Sequence, residues 1–172
     1  MRAARVIAGL AGAAVAATGT LGLAPASHAS NTGRELNGVY RMVSNGDFAK
    51  TNEVFIDEQT VIQTVTVSSE CVSPIECVAT MTSDRGWTAT GRLDDFWYFD
   101  HDIPNWIPCP DGTFAPGHQK FIMSGVDPQR NERNMTITDF LAGRDVTKGA
   151  SGACGVNKNV VIELPVTMTK IG

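Results

Sequence analysis

Two-residue alternation of apolar and polar positions runs through much of the chain after position 60, and helix-period spacing is nearly absent beyond the first thirty residues. Val61, Val65 and Val67 alternate with Ile62, Thr64, Thr66 and Ser68. Cys77, Ala79 and Met81 alternate with Val78, Thr80 and Thr82. After Ser83-Asp84-Arg85-Gly86, which reads as a turn, Trp87, Ala89 and Leu93 alternate with Thr88, Thr90 and Arg92. Near the end, Val160, Ile162, Leu164, Val166 and Met168 share one phase, and Asn159, Glu163, Thr167 and Thr169 the other. Such alternation marks half-buried strands with one wet face. Weaker strands fit residues 39–43, 53–56, 96–103, 120–124 and 135–141, separated by turn signals such as Ser44-Asn45-Gly46 and Asp127-Pro128. The pattern therefore predicts an all-β fold of about eight or nine strands, a single antiparallel β-sandwich or an open, flattened β-barrel. Pro165 cannot donate to a ladder, so the last strand is expected to be an edge or to carry a bulge there, which favours an open sheet. Residues 104–118 and 142–158 lack strand character and read as two long connections.

The first residues follow a different rule. Arg2 and Arg5 precede an Ala- and Gly-rich apolar run over residues 6–17, and Ala24-Pro25-Ala26 and Ser27-His28-Ala29 offer small-x-small cleavage sites. This predicts a signal peptide over residues 1–29, cut after Ala29 or, second, after Ala26, and a single secreted β domain over residues 30–172. The run is shorter than the ~20 apolar residues a membrane helix needs. No later segment is apolar enough to anchor the chain, so the expected location is extracellular or in the cell envelope, with no transmembrane segment.

Charge and cysteine content narrow the classes further. Without residues 1–29 the chain holds 12 basic and 18 acidic residues, a net charge of −6. That balance argues against nucleic acid and against anionic membrane surfaces. Cys71, Cys77, Cys109 and Cys154 all lie in the exported part, and an even count there reads as disulfides. The expected pairing is Cys71–Cys77, across a short loop between two predicted strands, with Cys109–Cys154. Zinc fits poorly, because the spacing is C-x5-C with no second close pair. No metal or other cofactor is expected.

The densest chemistry lies in Asp94-Asp95-Phe96-Trp97-Tyr98-Phe99-Asp100-His101-Asp102-Ile103. On a strand, Trp97, Phe99, His101 and Ile103 share one face. Trp97, Phe99 and His101, with Trp106 in the irregular stretch that follows, are the candidate lining of a ligand pocket, since aromatic groups with a polar handle build such sites. The same residues would equally build a core. Asp94, Asp95, Asp100 and Asp102 lack the spacing of a calcium loop. His101 and His118 could serve a hydrolase as base, helped by Asp100, Asp102 or Asp111, yet Gly149-Ala150-Ser151-Gly152-Ala153 misses the nucleophile elbow and no catalytic constellation stands out. The hydroxyls of residues 64, 66, 68, 80, 82, 88 and 90 should form one wet sheet face. Asn134-Met135-Thr136 fits the N-glycosylation pattern.

Taken in order, Thr82-Ser83-Asp84-Arg85-Gly86-Trp87, Asn105-Trp106, Cys109-Pro110-Asp111-Gly112, Ala142-Gly143-Arg144-Asp145 and Ser151-Gly152-Ala153-Cys154-Gly155 resemble segments of a group of small secreted mycobacterial proteins of unknown function. The resemblance spans essentially the whole exported part. It implies export, disulfides and an actinobacterial source, and carries no catalytic or binding residue. The expected function is a non-catalytic binding module for a small apolar or amphipathic ligand or a protein partner. The alternatives are an extracellular hydrolase using His101 or His118, and a structural or host-facing surface protein meeting its partner through the threonine face or an edge near Pro165. Oligomeric state is not legible.

Overall fold

The computed structural model describes residues 31–172. The predicted signal peptide and both cleavage sites lie outside the described residues. Eleven strands form: β1 (Gly38–Ser44), β2 (Lys50–Thr51), β3 (Val54–Phe55), β4 (Val61–Ser73), β5 (Glu76–Ser83), β6 (Thr88–Asp94), β7 (Phe96–Pro108), β8 (Phe114–Asp127), β9 (Glu132–Arg133), β10 (Phe140–Gly149) and β11 (Val161–Lys170). Eight of them, β1, β4, β5, β6, β7, β8, β10 and β11, pair antiparallel in that order, and β11 pairs back onto β1. The fold is thus all-β, as the alternation predicted, and the sheet closes into an up-and-down barrel. β2 and β3 form a small flap on β11, and β9 pairs β8.

Closure departs from the open sheet that Pro165 suggested. The β1 ladder on β11 ends at the pair Ser44–Val166, and β2 takes over at Lys50–Glu163. Pro165 sits in the gap between the two. Its carbonyl accepts from the Asn45 backbone N–H at 2.8 Å, and its missing N–H faces the same side, where no ladder bond is required. On the other side Pro165 pairs normally with Arg144 of β10. The proline rule is satisfied locally and leaves the barrel closed.

Both long connections are also shorter than their sequences suggest. β7 and β8 run on as one long hairpin through residues 104–118, with a register irregularity between Ile103 and Ile107, so the prolines there interrupt the pattern more than the ladder. β10, residues 140–149, takes up the first part of the second stretch, leaving a loop of residues 150–160. Its inward phase carries Gly143, Asp145, Thr147 and Gly149 in place of aliphatic residues, which hid the strand. The predicted strand over 135–141 shrinks correspondingly, its first residues belonging to the loop before β10.

Strand direction divides the interior into two halves. Tyr40, Met42, Val65, Val67, Met81, Ala89, Leu93, Trp97, Phe99, Phe121, Met123, Leu141, Val166 and Met168 fill one half as a continuous buried apolar cluster. Gly91, on the inward phase of β6, is part of that fit, because the Phe99 ring occupies the place its side chain would take. Leu36 plugs this end, its N–H donating to the Ser69 hydroxyl at 2.7 Å. Tyr40 ties the loop before β10 across it by donating to the Thr138 carbonyl at 3.0 Å, and burial pushes its hydroxyl pKa up to about 12. The Cys71–Cys77 disulfide closes the β4–β5 hairpin at this same end. The Cys109–Cys154 disulfide lies at the opposite end, where it joins the β7–β8 turn to the loop after β10. Outside, Thr66, Thr80, Thr82, Thr88 and Thr90 line up as cross-strand pairs on the exposed face of β4, β5 and β6.

Candidate functional site

Above the apolar half, the inward phase turns polar on six strands at one level. β1 supplies Ser44, β4 Gln63, β5 Ser83, β7 His101, β8 Gln119 and β10 Asp145. Ser44, Gln63, Ser83 and Asp145 are buried. Buried polar groups persist only when bonded to one another, and here they form two linked chains. In the first, the Ser44 hydroxyl donates to Asp145 Oδ2 at 2.7 Å and Gln119 Nε2 donates to Asp145 Oδ1 at 2.7 Å. The carboxylate accepts only, so it fixes the Gln119 amide with its oxygen toward His101. That oxygen lies 2.6 Å from His101 Nε2, which must then carry the proton. In the second chain, the Ser83 hydroxyl (2.8 Å) and the Trp87 indole N–H (3.1 Å) both donate to Gln63 Oε1. The chains meet where Trp87 stacks on His101, ring centroids 4.4 Å apart and planes 4° from parallel.

A cavity of about 270 Å³ opens above this polar layer. Gln63, Gln119, Asp145 and Thr147 give it a hydrogen-bonding floor; Trp87, Ile103, Trp106, Ile162 and Leu164 give it apolar walls. Glu58 and the exposed Arg85 stand at its lining as the other charged groups. Trp106 is seated against Gly117: a Cβ there would lie 2.7 Å from the indole. The missing side chain makes room for the ring.

The structure separates the four residues named for the pocket. Trp106 lines the cavity. His101 lies just behind its wall, under Trp87 and bonded to Gln119. Trp97 and Phe99 do not reach it; they stack on each other at 5.7 Å in the packed half of the barrel. Trp87, Gln63, Gln119 and Asp145 complete the site and were not singled out. A signal was present for three of them: Gln63, Gln119 and Asp145 are polar residues on the inward phase of a strand, such as Gln63 between Val61 and Val65, whereas Trp87 lies in the turn just before β6.

His118 is brought together with Asp100 and Asp102, but on the outer face of the barrel. Its Nδ1 lies 2.8 Å from Asp102 and its Nε2 3.1 Å from Asp100. Lys120 and Arg92 also pair with Asp100, at 3.1 and 3.3 Å. Both imidazole nitrogens are engaged by carboxylates, which leaves neither to activate a nucleophile. Asp111 sits apart in the β7–β8 turn, where hydrogen bonds from the Thr113 hydroxyl and N–H hold its carboxyl below the usual range. Among the described residues no group of three or more His, Cys, Asp and Glu gathers as a metal site, and no helix is long and apolar enough to cross a membrane. Asn134 is exposed, its side-chain oxygen accepting from Thr136.

Burial is the largest influence on Asp145 and raises its pKa from the ordinary 3.8, against the opposing hydrogen bonds of Ser44 and Gln119 and the charge of His101. A carboxyl whose folded pKa is raised contributes fully below its unfolded pKa and loses that contribution as pH climbs through the folded value. Wild type should therefore lose stability relative to Asp145→Asn as pH rises from about 4 toward 8. Urea unfolding of both proteins across that range checks this; a difference that does not change with pH would contradict it.

No protein-family model matches the chain, and no curated protein matches it. Among solved structures, the monomer form of the PknI sensor domain of Mycobacterium tuberculosis is similar, with TM-score 0.56 and 16% identity over 80% of this chain and 88% of that one. The likeness shows a shared fold. The neighbour is a mycobacterial protein, while nothing in these comparisons ties the chain to a small secreted family.

Proposed function

We propose that this protein is a non-catalytic binding module, exported from the cell, that holds a small amphipathic ligand in the open end of its barrel. The observation that carries this reading is the contrast between the two halves of the interior. One is filled by a continuous buried apolar cluster, and the other keeps a cavity with apolar walls and a hydrogen-bonded polar floor, the composition of small-molecule sites. The structural neighbour being a sensor domain supports the same reading by analogy of fold. Two disulfides, with the leader-like start of the sequence, support a site of action in an oxidising compartment. A hydrolase reading finds less support, since His118 is spent on surface carboxylates and His101 on Gln119 and a backbone carbonyl.

Native mass spectra of the protein from its own culture medium, set beside denaturing spectra, test the proposal. A native mass exceeding the denatured one by a small-molecule increment, lost or weakened in Trp106→Ala, is the expected result. A bare native mass, together with tryptophan fluorescence unmoved by extracts of the same medium, would overturn it.

A further inference from the structure

We propose that the cavity selects an organic cation, a small amine whose ammonium meets Asp145 while its apolar part lies against Trp87 and Trp106. This rests on the binding reading above and adds the ligand's charge to it. Asp145 is 3% exposed yet lines the cavity. Its two direct partners, the Ser44 hydroxyl and the Gln119 amide, are neutral. An ionised carboxylate offers about four lone-pair positions, and two are taken. His101, the nearest imidazole in this network, stands behind the Gln119 amide and does not touch the carboxylate. Arg85, the basic residue of the lining, is exposed and spends Nη2 on the Ile62 carbonyl at 3.0 Å.

A buried carboxylate facing a cavity without a contacting cation is costly, and a ligand that brings the cation recovers that cost. A carboxylate-bearing ligand would instead add repulsion at the floor. The walls agree with an amine, because indole faces attract ammonium groups as well as apolar surface. A hard metal ion fits poorly, since it asks for six or more oxygens and the floor presents one carboxylate among amides. At roughly 30 Å³ per water, the volume holds about nine waters, enough for a single substituted ring with a short arm.

Three probes of matched shape and different charge decide the matter: phenethylamine, phenethyl alcohol and phenylacetate, titrated against the protein by tryptophan fluorescence and calorimetry. Wild type is expected to bind the amine about tenfold or more tighter than the alcohol, as a charge-assisted hydrogen bond implies, and phenylacetate weakest. Asp145→Asn should erase the preference, whereas Asp100→Asn, which removes a charge from the outer face, should keep it. Equal binding of amine and alcohol, or a preference that survives Asp145→Asn, would overturn the cation inference. The cavity reading would stand in that case, provided that Trp106→Ala weakens all three probes. Binding of none of them to wild type would overturn both. If Asp145→Asn does not fold, the ranking of the three probes on wild type settles the ligand's charge alone.

Discussion

Replacing Cys109 and Cys154 together with serine is expected to lower the unfolding free energy by about 4 kcal/mol, and replacing Cys71 with Cys77 by about 2 kcal/mol. The ordering follows from loop length. Cys109 and Cys154 are 45 residues apart, whereas Cys71 and Cys77 are six apart and already face each other as neighbours in the β4–β5 ladder. The longer bridge restricts the unfolded chain more. Its location adds a second effect. It ties the β7–β8 turn to the 150–160 loop three residues after Trp106, so its loss frees the wall of the cavity as well as the unfolded chain. Urea midpoints of the two double variants, with Trp106 emission followed at sub-denaturing urea, check both parts. Equal losses for the two bridges, or an unaltered Trp106 environment without Cys109–Cys154, would contradict the argument.

The phase of β4, β5 and β11 was legible because one side of each is wet. Val65, Val67, Ala79, Met81, Leu164, Val166 and Met168 all point where their alternation put them. The polar layer was harder to see for the same reason. Gln63, Gln119 and Asp145 interrupt the inward phase singly, on strands far apart in sequence, and only closure of the sheet brings them to one level. Closure itself depends on the match between β1 and β11, which are separated by more than a hundred residues. A lone Pro165 pointed the wrong way because its effect is confined to one ladder position. β10 escaped notice because its inward residues were chosen for the cavity and for close backbone approach; a Cβ at Gly143 would collide with the Ile122 carbonyl.

The aromatic residues of β7 show where sequence reasoning stops. Trp97, Phe99 and Trp106 lie on one strand within ten positions and have similar chemistry, yet two are core and one is wall. Phe99→Ala is expected to cost about 3–5 kcal/mol, as large-to-small changes in packed cores do, and Trp106→Ala about 1–2 kcal/mol, because its ring is only half-buried. Gly91 supplies the sharper test. With Phe99 present, Gly91→Ala forces a methyl into the ring and should destabilise by about 1–3 kcal/mol. With Phe99 truncated, the same methyl meets only the Ala79 Cβ, 3.1 Å away, and the about 0.5–1 kcal/mol that alanine holds over glycine in a strand offsets part of that crowding. The cost of Gly91→Ala should therefore fall by about 1 kcal/mol or more in the truncated background, a coupling seen between residues in contact and not between independent sites. Chemical denaturation of wild type, both single variants and the double variant measures it. Additive costs would mean that the ring does not fill the Gly91 site, and the packed half of the barrel would have to be redrawn around a movable Phe99.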